Sequence, residues 1–133
     1  MNKDIKNRDE MIFGEYAPKE YFGGVRHFDG LSPVTVMELL NYDFIEEKEN
    51  QNYSPTTAEF LELIEGHEDK ASFIGYTVSV DREDYRTTLE GIELKIPDYD
   101  TDFIQLCVRS LRGADEFTFE HDEDSWYIRA WWD

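Results

Sequence analysis

The chain has 133 residues, 40% of them hydrophobic and 15% aromatic, with 31 acids against 13 bases and a formal net charge of −18. That length suits one domain with one core, and the aromatic content sets the chain apart from a disordered polyanion. No stretch nears the roughly 20 apolar residues that cross a bilayer, and Met1 to Glu10 is too polar for a signal peptide, so a cytoplasmic protein is expected.

Residues 1–10 show no periodicity and are expected to fray, leaving a single domain over residues 11–133. Met11 to Gly30 is rich in aromatics (Phe13, Tyr16, Tyr21, Phe22, Phe28) and broken by Pro18, Gly23 and Gly24. It reads as an irregular arm lying against the body, because so much aromatic surface must be buried, and it has the makings of an edge strand. Ser32-Pro33 places a capping residue before a proline at the first helical position, which predicts a helix from Pro33 to about Tyr42. Thr56 and Glu59 fit a capping box at the start of a second helix, expected over about Pro55 to Glu65. Thr57, Phe60, Leu61 and Ile64 share its inner face, and Glu59, Glu62 and Glu65 fall opposite.

From Ala71 the period becomes two, predicting a strand that pairs through the turn Asp81 to Asp84 with a second strand over Tyr85 to Ile96. Asp100 is placed to cap a third helix that buries Phe103, Ile104, Cys107, Val108 and Leu111, with Gly113 past its end. Glu116 to His121 and Trp126 to Trp132 flank the turn Asp122-Glu123-Asp124-Ser125 as a second hairpin. The expected architecture is α+β: a mainly antiparallel sheet of about four strands with about three helices packed on it, in the order α-α-β-β-α-β-β after the aromatic arm.

Motifs for chemistry are sparse. Asp98, Asp100 and Asp102 alternate like the opening of a calcium loop, but the positions that need glycine and glutamate are Phe103 and Arg109. His27, His67 and His121 lie far apart, and the lone Cys107 sits mid-helix as core filling. Neither a metal nor a cofactor is expected. A hydrolytic enzyme built on a carboxylate pair remains an alternative, though 31 acids single out no pair.

The acidity belongs to the body of the chain: residues 1–41 carry net −2, residues 42–70 net −7 and residues 71–133 net −9. Such a surface repels nucleic acid and anionic membranes and attracts a basic protein, the partner expected here. The residues expected to meet it are Glu59, Glu62 and Glu65 on the second helix and Asp122, Glu123 and Asp124 at the last turn. Their spacing is of the order of that between duplex phosphates, so imitation of nucleic acid is one form the contact could take. Trp131 and Trp132 must point to opposite faces of a strand, so one serves either as an exposed anchor or as core beneath the arm, with coverage by the arm expected. An exposed anchor would suit an immunity-type or chaperone-like binder.

The segments FGEYAPKEYFGGVRHFDGLSP (Phe13 to Pro33), QNYSPTTAEFLE (Gln51 to Glu62), DYRTTLEGIE (Asp84 to Glu93) and AWWD (Ala130 to Asp133) resemble a group of small acidic proteins encoded in bacterial genomes, often in conjugative or other mobile elements. The resemblance supplies no activity. It implies a context in which acidic inhibitor proteins, antirestriction proteins among them, occupy the nucleic-acid groove of a defence enzyme.

Overall fold

The period-two segments pair into a single five-stranded antiparallel sheet in the computed structural model, which describes residues 1–133. Its strands are β1 (Val25–Leu31), β2 (Ala71–Val78), β3 (Thr87–Pro97), β4 (Glu116–His121) and β5 (Ser125–Trp131), in the spatial order β1-β2-β3-β5-β4. Register places Phe73 opposite Ile92, Ile92 opposite Ala130 and Ala130 opposite Phe117, so one apolar row crosses four strands on one face. The neighbouring row, Ser72, Glu93, Arg129 and Thr118, is polar and lies on the other face, as strand alternation requires.

Helices cover the apolar face only. They are α1 (Ile5–Phe13), α2 (Pro33–Asn41), α3 (Thr57–Leu63) and α4 (Thr101–Leu111). Val36 and Leu39 from α2, Phe60 and Ile64 at α3, and Phe103, Ile104, Cys107 and Leu111 from α4 join the strand residues in one core. Phe60 packs edge-on against both Phe73 and Trp132, with ring centroids 5.6 and 5.9 Å apart. The two expected hairpins are β2–β3 and β4–β5, and the arm supplies the fifth strand, β1.

Caps follow the sequence closely at two helices. Ser32 accepts from the Thr35 N–H with Pro33 first in α2, and Thr56 and Glu59 form the reciprocal capping box of α3. That box sets the start of α3 at Thr57 rather than Pro55, and the helix closes at Leu63, so Glu65 lies beyond it. Asp100 stands at the cap position of α4, but its carboxylate turns away to His67, 3.3 Å from Nε2. The His67 ring in turn stacks on Phe103 at 3.8 Å.

Gly75 is fixed by crowding. A β-bulge at Ile74–Gly75 brings the Phe28 ring within 2.5 Å of where a Cβ would stand, so any side chain there would collide.

The N-terminus corrects the expectation of fraying. Residues 5–13 form α1, capped by the Asp4 carboxylate, and Arg8 and Asp9 are fully buried. Arg8 Nε donates to Asp9 Oδ1 at 3.0 Å, Nη1 to the carbonyls of Val78 and Arg86, and Nη2 to the Tyr21 hydroxyl at 2.8 Å. Tyr21 donates to the other Asp9 oxygen and accepts from Thr77. Period analysis misses such a helix because its buried positions are an ion pair instead of apolar residues.

Two outcomes follow from this network. Arg8→Ala strands a buried carboxylate and should cost about 3–5 kcal/mol in urea unfolding, whereas a frayed terminus would give no change. Burial, followed by the hydrogen bond to Asp9, raises Tyr21 from 10.0 to about 12. The unfolded chain therefore loses this proton first, so stability should fall as pH rises from about 10 to 12, less steeply in Tyr21→Phe.

Candidate functional site

The acids named from the sequence are exposed, but on separate elements. Glu59 and Glu62 project from α3 in the helical layer, Glu65 follows in the turn after it, and Asp122, Glu123 and Asp124 occupy the tip of the β4–β5 hairpin at the margin of the sheet. Glu59 is only half available, since its carboxylate accepts from the Thr56 N–H. The even helical spacing expected for the trio does not extend to Glu65, which lies outside the helix.

Between α3 and α4 runs a shallow groove of about 390 Å³, lined by Pro55, Glu59, Glu62, Leu63, Leu106 and Ser110. None of the six acids forms an ion pair. Five of the thirteen bases are engaged by acids elsewhere: Arg8 by Asp9, Arg82 and Arg86 by Asp84, Arg86 also by Glu49, Arg129 by Glu93 and Glu116, and Lys70 by Asp69.

Trp132 is 5% exposed beneath Phe60 and belongs to the core, which removes it from the surface residues. Trp131 points the opposite way, half-buried beside Gly91. Tyr21 ties the arm to Arg8, Asp9 and Thr77 on the helical side, and Asp29 near the arm's end approaches Glu93 on the polar face. The most exposed aromatics are others, Phe22, Tyr53 and Tyr99, each in a separate loop or turn.

Two features were missed in the sequence. The first is the polar face of the sheet, where Ser72, Glu93, Lys95, Thr118, Tyr127 and Arg129 line a shallow depression of about 400 Å³. Burial raises Glu93 above the ordinary carboxyl range, and the neighbouring Asp29 carboxylate adds to the shift, with Arg129 opposing it. The second is β4, which has one neighbour and a free outer edge, with every residue but Phe117 exposed. Neither was legible, because the Asp29–Glu93 approach requires the β1–β2–β3 order and β4 is an edge only once β5 is known to enter beside β3.

Each histidine has a carboxylate within reach: His27 with Glu90 at 3.5 Å, His67 with Asp100 at 3.3 Å and His121 with Asp98 at 3.0 Å. No three potential ligands converge as a metal would require. Burial pushes the Cys107 thiol up to about 12, with Asp100 adding to the shift, so at neutral pH it is protonated and enclosed by core. No helix is long and apolar enough to cross a membrane. No protein-family model, curated protein or solved structure matches the chain.

Glu93 has a folded pKa above its ordinary value of 4.5, so its contribution to stability is present below that pH and is lost as pH rises through the folded value. Glu93→Gln should therefore raise the urea midpoint at pH 7 relative to wild type and leave it nearly unchanged at pH 4. A lower midpoint at pH 7 would mean that the Arg129 contact outweighs the repulsion from Asp29.

Proposed function

We propose that this protein is an interaction module that presents acidic surface to a basic, nucleic-acid-binding protein and thereby inhibits or regulates it. What carries this is the distribution of charge. Glu62, Glu65, Asp122, Glu123 and Asp124 are exposed and have no basic side chain in ion-pair range, while Arg8, Arg82, Arg86, Arg129 and Lys70 are already engaged by acids of the same chain. A net charge of −18 speeds encounter with a basic surface and slows encounter with nucleic acid. The resemblance to acidic proteins of mobile elements points the same way, toward a partner whose groove normally holds nucleic acid.

The shallow relief of the surface favours a protein partner over a small substrate, since catalytic and small-ligand sites are usually enclosed clefts. A reading based on aromatic anchors is weaker, because Trp132 lies in the core.

The test is affinity capture from the native host with wild type and with a variant carrying Glu62→Gln, Glu65→Gln, Asp122→Asn, Glu123→Gln and Asp124→Asn. Wild type should retain a basic nucleic-acid-binding protein at low salt and lose it at high salt. Each exposed charge contributes about 0.2–1 kcal/mol, so the variant should bind roughly tenfold or more weakly. A partner held equally by both proteins and at both salt concentrations would overturn the proposal.

A further inference from the structure

We infer that the free edge of β4 is a docking site for an extended, basic strand of the partner, which would add a sixth strand to the sheet. The inference rests on the acidic-module reading above and specifies how the partner is held.

The geometry begins at the hairpin turn. The Asp122 N–H donates to the Ser125 carbonyl at 3.1 Å. Antiparallel alternation then turns the main-chain groups of Glu120, Thr118 and Glu116 toward β5, and those of His121, Phe119 and Phe117 outward. Three outward residues with no strand beside them leave a row of unpaired donors and acceptors. The opposite edge, β1, is unlike this: its register breaks between Phe28 and Leu31, and Gly30 takes a left-handed φ of 69°. A bulge of that kind interrupts a ladder, so β4 is the continuous edge.

Side chains select the occupant. Glu116, Thr118 and Glu120 stand on the polar face, and Phe117, Phe119 and His121 on the helical face. Phe119 is 39% exposed and stacks on Trp126 at 4.3 Å, leaving apolar surface beside the edge. An added strand would set its alternate residues beside these two rows, so a basic residue suits one face and an apolar residue the other.

Residues 115–124 contain six acids and no lysine or arginine. The same acids disfavour a second copy of this chain, because antiparallel self-pairing would bring two such segments together on molecules of net charge −18. Edge charge thus blocks self-association while leaving the hydrogen-bond row open to an oppositely charged strand. Main-chain pairing would supply affinity and the alternating side chains specificity, as in other strand-addition complexes.

The probe is a synthetic ten-residue peptide of alternating lysine and valine, used with the full-length protein. Its controls are the same composition in scrambled order and the alternating peptide N-methylated on every second residue. The alternating peptide should bind with a salt-dependent Kd and slow amide exchange at Phe117, Phe119 and His121. N-methylation on the pairing edge should weaken binding at least tenfold. Phe119→Pro, which removes an outward N–H, should weaken it more than Phe119→Ala, and Glu116→Gln with Glu120→Gln should flatten the salt dependence. Equal, salt-dependent binding of all three peptides would overturn strand addition while leaving the acidic-module reading standing. Binding of none would count against both. Concentration-dependent dimerisation abolished by Phe119→Pro would assign the edge to a second copy and overturn the basic occupant.

Discussion

Arg8 is held by five contacts at once: the Asp9 carboxylate, the Tyr21 hydroxyl, the main-chain carbonyls of Val78 and Arg86, and the face of the Tyr85 ring at 4.8 Å. These partners come from α1, the arm and the two sides of the β2–β3 turn. Losing a partner from a buried guanidinium is costly, because each lost contact leaves charge or dipole uncompensated in a medium of low dielectric. The seating of α1, the path of the arm and the placement of β1 next to β2 are therefore one linked choice. Thr77 extends the linkage by bonding both Tyr21 and the Arg26 carbonyl of β1. Geometry is what this arrangement gains, since an apolar cluster of equal volume could match it in stability.

The same economy of bases shapes the exterior. With 13 bases against 31 acids, every arginine in an internal ion pair neutralises one acid and leaves the excess of acids to be carried by the rest of the molecule. Arg129 spans Glu93 and Glu116 across three strands, and Arg86 spans Asp84 and Glu49 between the β2–β3 turn and the loop before α3. These arginines thus knit the fold together, while carboxylates without an ion pair are spread over the exterior, those of α3, of the turn after it and of the β4–β5 hairpin among them. Internal pairing of this kind makes a polyanionic exterior compatible with an ordered interior.

Most of the fold was legible where local chemistry determines structure. The Ser32-Pro33 start, the Thr56–Glu59 box, the alternation from Ala71 and the Phe103 to Leu111 stripe each report on a few neighbouring residues, and each element formed, α3 shorter at both ends than expected. What escaped depends on distant partners. α1 was hidden because its burial is electrostatic, and Asp100 gave up its capping role to His67, 33 positions earlier. The candidate site divides in the same manner. Exposure of Glu62, Glu65 and the hairpin acids follows from local pattern, whereas the edge character of β4 and the approach of Asp29 to Glu93 follow from strand order. Trp131 and Trp132 lie between these cases: alternation fixed that they part, and only tertiary packing against Phe60 decided that Trp132 is the one in the core.

The strand order carries a kinetic consequence. β2–β3 and β4–β5 are local hairpins, but β5 must pass α4 to reach β3, and β1 must find β2 across α2 and α3. Joins over such sequence distances pay their loop entropy before any contact repays it, so they set the pace of folding in mixed α/β chains. All three tryptophans, Trp126, Trp131 and Trp132, fall in or directly after β5. Tryptophan fluorescence therefore watches β5 join β3, β4 and α3, and the docking of α1 against Tyr21 proceeds largely unseen by it, so the two ends of the assembly differ in optical visibility.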